Sequence, residues 1–358
     1  MPGVIVSSSV LCSAGSGPEQ LWASVRAGIS RIANSGVLDG HLEGVSMGLV
    51  PEDALEPQLP PEIASLPLPA RARRMLRLAA PALRPVLESV TQRPIRLYLG
   101  LPELTATEAP WIRSFALQLG KLAGAPIDAP NSRVVPAGRA AALIALELAL
   151  EALERDPEHP VVVGGVDTYY DFGLLSSLDA DKRILGSHVM DGFIPGEGAG
   201  FLVISHPTAV DAGSGSAPAG KRPAVTVLGA ASARDPGHRG GTEPARGEGL
   251  AEAINTLRSR STGSTTPVAT TFAGLNGESF DAKLWGVARV RHADFISASM
   301  LLQHPADCIG DTGAASGAIL LGVAAEALAT GTRPGPALVW AASDGESRGC
   351  ALMSVSSG

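Results

Sequence analysis

An α/β fold arranged as a five-layer α/β/α/β/α sandwich of two similar halves is what the sequence predicts, and three observations lead there. Short apolar runs alternate with helical patterns from end to end, as expected of a layered α/β chain. Two segments, AGRAAALIALELALEALERD (137–156) and TGAASGAILLGVAAEALATG (312–331), are helical and built mainly of Ala, Leu, Ile and Gly. Each is followed by a hydrophobic strand at nearly the same distance: 161 − 138 = 23 residues from Gly138 to Val161, and 337 − 313 = 24 from Gly313 to Ala337.

The strands read in order as VIVSSSV (4–10), IRLYLGL (95–101), VVVGGVD (161–167), GFLVIS (200–205), AVTVLGA (224–230), FISASM (295–300), ALVWAAS (337–343) and CALMSV (350–355). In the first long helix Glu147, Glu151 and Glu154 fall at i, i+4 and i+7, so one narrow stripe faces water and the rest is buried. Helices 137–154 and 312–328 are therefore expected side by side between two sheets, where small side chains let them pack closely. Residues 205–223, SHPTAVDAGSGSAPAGKRP, are rich in Gly, Pro, Ser and Ala and read as an exposed linker. The N-terminal half is then 1–204 and the C-terminal half 224–358. A polar Gly-rich loop, GHRGGTEPARGEG (237–249), precedes a helix LAEAINTLRSR (250–260) and is placed at the rim of a pocket.

Composition excludes several functions. With 358 residues, 45% hydrophobic and 18% charged, the chain can bury a large core. The net charge of −7 argues against nucleic acid or an anionic membrane surface as a partner. No apolar run reaches the ~20 residues of a membrane span, and the N-terminus lacks the basic start of a secretory signal; the expected location is cytoplasmic. Cys12, Cys308 and Cys350 have no paired spacing, and the seven histidines are scattered in loop-like contexts as surface residues, so no metal or other cofactor is expected. GSAPAGK (215–221) imitates a phosphate loop but has no strand leading into it.

The segment DGFIPGEGAGFLVIS (191–205) resembles the β-ketoacyl synthases of the thiolase superfamily. LWASVRAGISRI (21–32), VVVGGVD and GDTGAASGA (310–318) fall in the matching order, so that the likeness spans most of the chain, with 40–94 and the linker matched only loosely. The resemblance implies a thiolase-like fold, acyltransferase chemistry of the 3-oxoacyl-[acyl-carrier-protein] synthase kind in fatty acid or polyketide biosynthesis, a homodimer paired through an edge strand near the first buried helix, and an acyl carrier protein or another protein as partner. Condensing members use a cysteine at the start of that helix and two histidines that stabilise developing charge.

None of the three is found at the matching place. Val135 stands at the nucleophile position, with Pro136 or Ala137 if the alignment slides; Ser132 is the nearest hydroxyl. Phe272 marks the first histidine position, and Asp311 replaces the second. Loss of all three predicts a pseudoenzyme, non-condensing, that binds a protein partner, an acyl carrier or an acyl ligand. The alternative is an acyltransferase or thioester hydrolase with a site rebuilt around Asp311, Asn276 and Glu278. Asp311 and Thr312 also suit a helix start, where the carboxylate caps backbone N–H groups, and Asn276-Gly277 suits a turn. Arg139, in the first turn of a buried helix, has three destinations: Asp311, a bound anion, or solvent. Arg139 and Thr312 are the candidate ligand-binding residues. Glu197, set among Gly192, Gly196, Gly198 and Gly200, reads as structural.

Overall fold

The computed structural model describes residues 2–91, 93–104, 109–209, 222–261 and 266–355. Most of the linker (210–221), GSAPAGK included, lies outside the described residues. The N-terminal half contributes strands β1 (Gly3–Cys12), β2 (Arg96–Leu101), β3 (Arg133–Pro136), β4 (Val161–Thr168) and β5 (Glu197–Ser205). The C-terminal half contributes β6 (Val225–Arg234), β7 (Val268–Ala273), β8 (Ile296–Gln303), β9 (Ala337–Ala342) and β10 (Ser347–Val355).

Pairing is the same in both halves. The first strand lies antiparallel to the last (β1–β5, β6–β10) and the last antiparallel to the fourth (β5–β4, β10–β9). The fourth, second and third then run parallel (β4–β2–β3, β9–β7–β8). The internal repeat read from two helices therefore extends to five strands of each half, to which the N-terminal half adds the short strand Gly15–Ser16 and the separate hairpin Ala33–Leu38/Gly44–Met47. One difference from two separate layers emerges: β1 and β6 pair antiparallel at Gly3↔Val227, Val4↔Thr226 and Ile5↔Val225, joining both sheets into one hydrogen-bonded ladder. The order is β8-β7-β9-β10-β6-β1-β5-β4-β2-β3. The joint uses up backbone groups that would otherwise be bare at two sheet edges.

The longest of the described helices complete the layers: α1 (Ala70–Leu87), α2 (Ala109–Ala123), α3 (Ala141–Arg155), α4 (Glu248–Arg260), α5 (Ser279–Arg291) and α6 (Ser316–Ala329). The strand period of two assigns side chains to layers. Val161, Val163, Leu202 and Ile204 point into a central core shared with Leu146 and Ala149 of α3, Leu321 and Ala324 of α6, and Val339 and Met353 of the other half. Val162, Phe201 and Val203 point the opposite way, into a core with Met75, Leu76 and Leu83 of α1 and Phe115 of α2. Leu338, Trp340 and Leu352 form the third core with Ile254 of α4 and Leu284 and Trp285 of α5. Among the described residues no helix is long and apolar enough to cross a membrane.

Both central helices begin later than the sequence predicts. Each is preceded by a 3₁₀ turn, Gly138–Ala140 before α3 and Gly313–Ala315 before α6. The offset between halves is 175 residues for turns (313 − 138) and helices (316 − 141) alike, which makes Pro136 the counterpart of Asp311. Gly138 and Gly313 adopt φ of +63° and +54°, a conformation that costs other residues a steric penalty. Their caps are crossed between halves. Ser343, just after β9, accepts from Ala140 N at 2.9 Å, and Asp167 of β4 accepts from Ala314 N at 2.9 Å. Gly165 of β4 permits this approach, since a Cβ there would lie 2.4 Å from Ala314 O.

The polar stripe of α3 is only partly a water face. Glu151 and Glu154 are exposed, whereas Glu147 accepts from Ser232 Oγ and pairs with Arg260, both in the C-terminal half. His292 departs from the surface placement expected of the histidines: it is buried, and its Nε2 bonds Ala251 O at 2.8 Å, tying α5 to α4.

Candidate functional site

The space between the two 3₁₀ turns is occupied by charge. Asp311 closes its own turn, Oδ1 accepting from Gly313 N at 2.8 Å, as a cap should. Its Oδ2 accepts from Arg139 Nε at 2.6 Å and from Asn276 Nδ2 at 2.8 Å. Capping and ion pairing are thus both realised in one carboxylate. Arg139 is 3% exposed and spends its remaining donors inside the protein, with Nη1 on Asp344 Oδ1 at 2.8 Å and Nη2 on Tyr169 Oη at 3.3 Å. Of its three expected destinations it takes the first. Burial works against its charge, and Asp311 and Asp344 outweigh that.

Glu278 is 2% exposed and sits on a fork from Arg183, Oε1 to Nε at 2.9 Å and Oε2 to Nη2 at 2.8 Å. Arg239, from the Gly-rich loop placed at the pocket rim, lies 3.1 Å from the same Oε2, and Asn276 donates to it at 3.1 Å. The Glu278 N–H returns to Asn276 Oδ1, the turn that Asn-Gly favours. Asp344 is the hub: it accepts from Arg139, from Arg183 at 2.8 and 3.0 Å, and lies 3.5 Å from Arg239. Burial pushes its carboxyl up, but Arg139 and Arg183 hold it below the usual carboxylate range.

A second group adjoins this one. Arg71 pairs with Asp167 at 2.8 Å. Glu197, fully buried, takes a fork from Arg74 at 2.6 and 2.7 Å, a bond from Thr168 Oγ1 at 2.7 Å and one from Val50 N at 2.9 Å, which agrees with its structural reading. Both arginines come from α1, inside the stretch that the resemblance matches only loosely.

Among the described residues, the side chains at or near the positions that the resemblance matches to the nucleophile and imidazoles are engaged in the fold. Val135 is half-buried on the edge strand β3. Ser132 Oγ accepts from Leu97 N and donates to Asp128 O, a structural use. Phe272 is fully buried in the central core, its ring 5.9 Å from that of Trp22. Thr312 Oγ1 lies 3.0 Å from Ser316 Oγ. All three cysteines are buried; burial pushes the Cys12 thiol up to about 12 and raises Cys308 and Cys350 as well, the opposite of activation. Among the described residues no group of three metal-ligating side chains converges.

Two cavities touch the network. One, beside Asn276, Asp311, Thr312 and Ile319, measures about 20 Å³, room for a single water. The other, about 150 Å³, is walled by Arg71, Glu103, Arg139, Asp167, Tyr169 and Asp344. The sequence did not single out Arg183, Asp344, Tyr169 or the α1 arginines; Ser343-Asp344-Gly345 carries only a turn signal.

No family model and no curated protein matches the sequence. Solved structures do match. The ketosynthase from module 6 of the bacillaene synthase from Bacillus subtilis 168 superposes with a TM-score of 0.76 at 12% identity, covering 99% of this chain and 72% of that one. The ishigamide ketosynthase/chain length factor gives 0.70 at 18% identity, with 99% of both chains covered. AntDE:AntF, a type II PKS acyl-carrier protein in complex with its ketosynthase, gives 0.75 at 16% with 99% of both chains covered. This chain has the thiolase-like ketosynthase fold. Of the three positions that the resemblance matches to cysteine and the two histidines, Asp311 lies in the charge network, while Val135 sits on the edge strand and Phe272 in the central core.

Proposed function

We propose that the protein is a non-condensing, ketosynthase-fold binding partner, one that engages an acyl carrier protein or another protein without turning over an acyl group. The observation that carries this reading is the closed charge network. Arg139, Arg183 and Arg239 are matched by Asp311, Asp344 and Glu278, so the carboxylate oxygens are taken up by guanidinium groups of the protein rather than turned to a substrate. Of the two cavities beside the network, the one of about 20 Å³ has room for a single water and the one of about 150 Å³ is walled largely by charged side chains, an unfavourable setting for an acyl chain, which favours a protein over an acyl ligand. The expected result with malonyl- and acyl-loaded carrier protein is therefore neither decarboxylation nor condensation. Apo- and acyl-loaded carrier should bind immobilised protein with equal affinity. Turnover abolished by Asp311→Asn or Glu278→Gln would establish the rebuilt acyltransferase or hydrolase instead.

We also place the protein as a homodimer through β3. This strand ends one side of the ladder and carries the half-buried Val134 and Val135, an edge that pairing with a second copy would cover. Light scattering should give twice the chain mass at micromolar concentration. A monomer would remove this part of the reading.

A further inference from the structure

A cleft of about 510 Å³ opens between the tip of the Ala33–Leu38/Gly44–Met47 hairpin and the segment that follows the helix Phe172–Ala180. It shares no wall residue with the charge network. Asp39, Glu43 and Asp179 line it against a single lysine, Lys182. The chain itself sets these carboxylates in place. Asp39 Oδ1 accepts from His41 N and Glu43 N at 2.8 Å, Asp179 Oδ2 accepts from Gly40 N at 2.8 Å, and Glu43 Oε2 accepts from Ser187 Oγ. Among the described residues no arginine or lysine pairs with any of the three, whereas Asp167, Glu197, Glu278, Asp311 and Asp344 each hold a guanidinium. Imidazole faces them instead: His188 Nε2 lies 3.5 Å from Glu43 Oε1, and the His41 and His188 rings stack with centroids 4.1 Å apart.

Apolar side chains stand in water beside the same cleft. Leu42, between the lining residues His41 and Glu43, is 79% exposed, and Met190, next after the lining residue Val189, is 85% exposed. Leu38, which precedes Asp39, and Leu185, in the cleft wall, are exposed as well. Leu42 and Lys182 are the described non-glycine residues with a left-handed backbone, at φ of +63° and +55°. A leucine is thus held outward in a conformation that its β-carbon disfavours. Exposed apolar groups set around unanswered charge make a surface that suits a protein partner.

We propose that this cleft docks a basic segment of another protein, one that carries apolar residues beside its arginines. Charge complementarity selects it. The segment's cations answer Asp39, Glu43 and Asp179, which the fold leaves without a guanidinium, and an arginine fits best because its planar group also stacks on the exposed imidazoles. Its apolar residues cover Leu42 and Met190. The inference does not rest on carrier binding, since cleft and charge network have separate walls.

The probe is a fluorescent peptide that alternates leucine with arginine, titrated with the full chain at physiological ionic strength. Glu43→Gln combined with Asp179→Asn should weaken its binding about tenfold. Leu42→Asn, which suits the left-handed backbone and leaves the charge unchanged, should weaken it about fivefold. Asp53→Asn with Glu62→Gln, two exposed carboxylates outside the cleft, should leave it unchanged. No binding to the parent, an equal loss in the control pair or no effect of Leu42→Asn would overturn the proposal. So would spermidine binding as tightly as the peptide, because a small polycation would then suffice. Amide shifts of the parent on adding the peptide need no variant: they should cluster at residues 38–46 and 179–190, and shifts confined to other regions would also overturn it.

Discussion

Arg139→Ala is expected to lower the unfolding free energy by about 3–5 kcal/mol, as when one partner is removed from a buried ion pair. The size follows from what the truncation leaves behind. Asp311 Oδ2 would keep Asn276 but lose the guanidinium 2.6 Å away, in a site where its side chain is 1% exposed. Asp344 adds little to this figure because its side chain is 36% exposed and Arg183 stays. The decisive comparison is Arg139→Met with Asp311→Leu. Because the pair's desolvation offsets much of its attraction, the double variant should recover most of the loss, short by about 1 kcal/mol for the missing cap on Gly313 N. Chemical denaturation of the four proteins measures the coupling. A single-variant loss under 1 kcal/mol would mean that the network is dispensable for the fold.

The second large effect lies at the other group. Arg74→Ala should lower stability by a similar ~3–5 kcal/mol, since Glu197 has no exposure and would keep only Thr168 Oγ1 and Val50 N. The reverse deletion should be milder. Without Glu197, Arg74, whose side chain is 11% exposed, still pairs with Glu52 and so is not left as an unpaired charge; Glu197→Ala should cost about 1–3 kcal/mol. Equal losses from both changes would contradict the burial asymmetry on which the estimate rests.

These two groups divide what could be read in the sequence from what could not. The sandwich was legible because burial imprints local period: two alanine-rich helices and alternating strands each announce their layer within a few residues. Asp311 was legible because it interrupts a motif. The sequence offers Arg139 as a partner for it beside two other destinations, and the structure takes that one; Asp344 was not legible, since it lies 205 residues from Arg139 and nothing local distinguishes a turn aspartate that faces solvent from one that faces arginines. The late helix starts escaped for a different reason. Composition 137–140 and 312–315 suits a helix, but a positive φ at Gly138 and Gly313 holds the first turn open.

The crossed caps bear on how such a chain is divided. Each half begins its central helix on a side chain lent by the other, Ser343 for α3 and Asp167 for α6, and β1 meets β6 across the same seam. A fragment ending near residue 204 would start α3 uncapped and leave the Gly3–Ile5 edge bare, so the smallest self-sufficient unit is the pair. Two separate polypeptides meeting about an axis could form the same seam, but identical copies would have to lend identical caps. Joined in one chain, the halves are released from that constraint. One lends a hydroxyl and the other a carboxylate, and only the carboxylate brings a charge that Arg71 must answer.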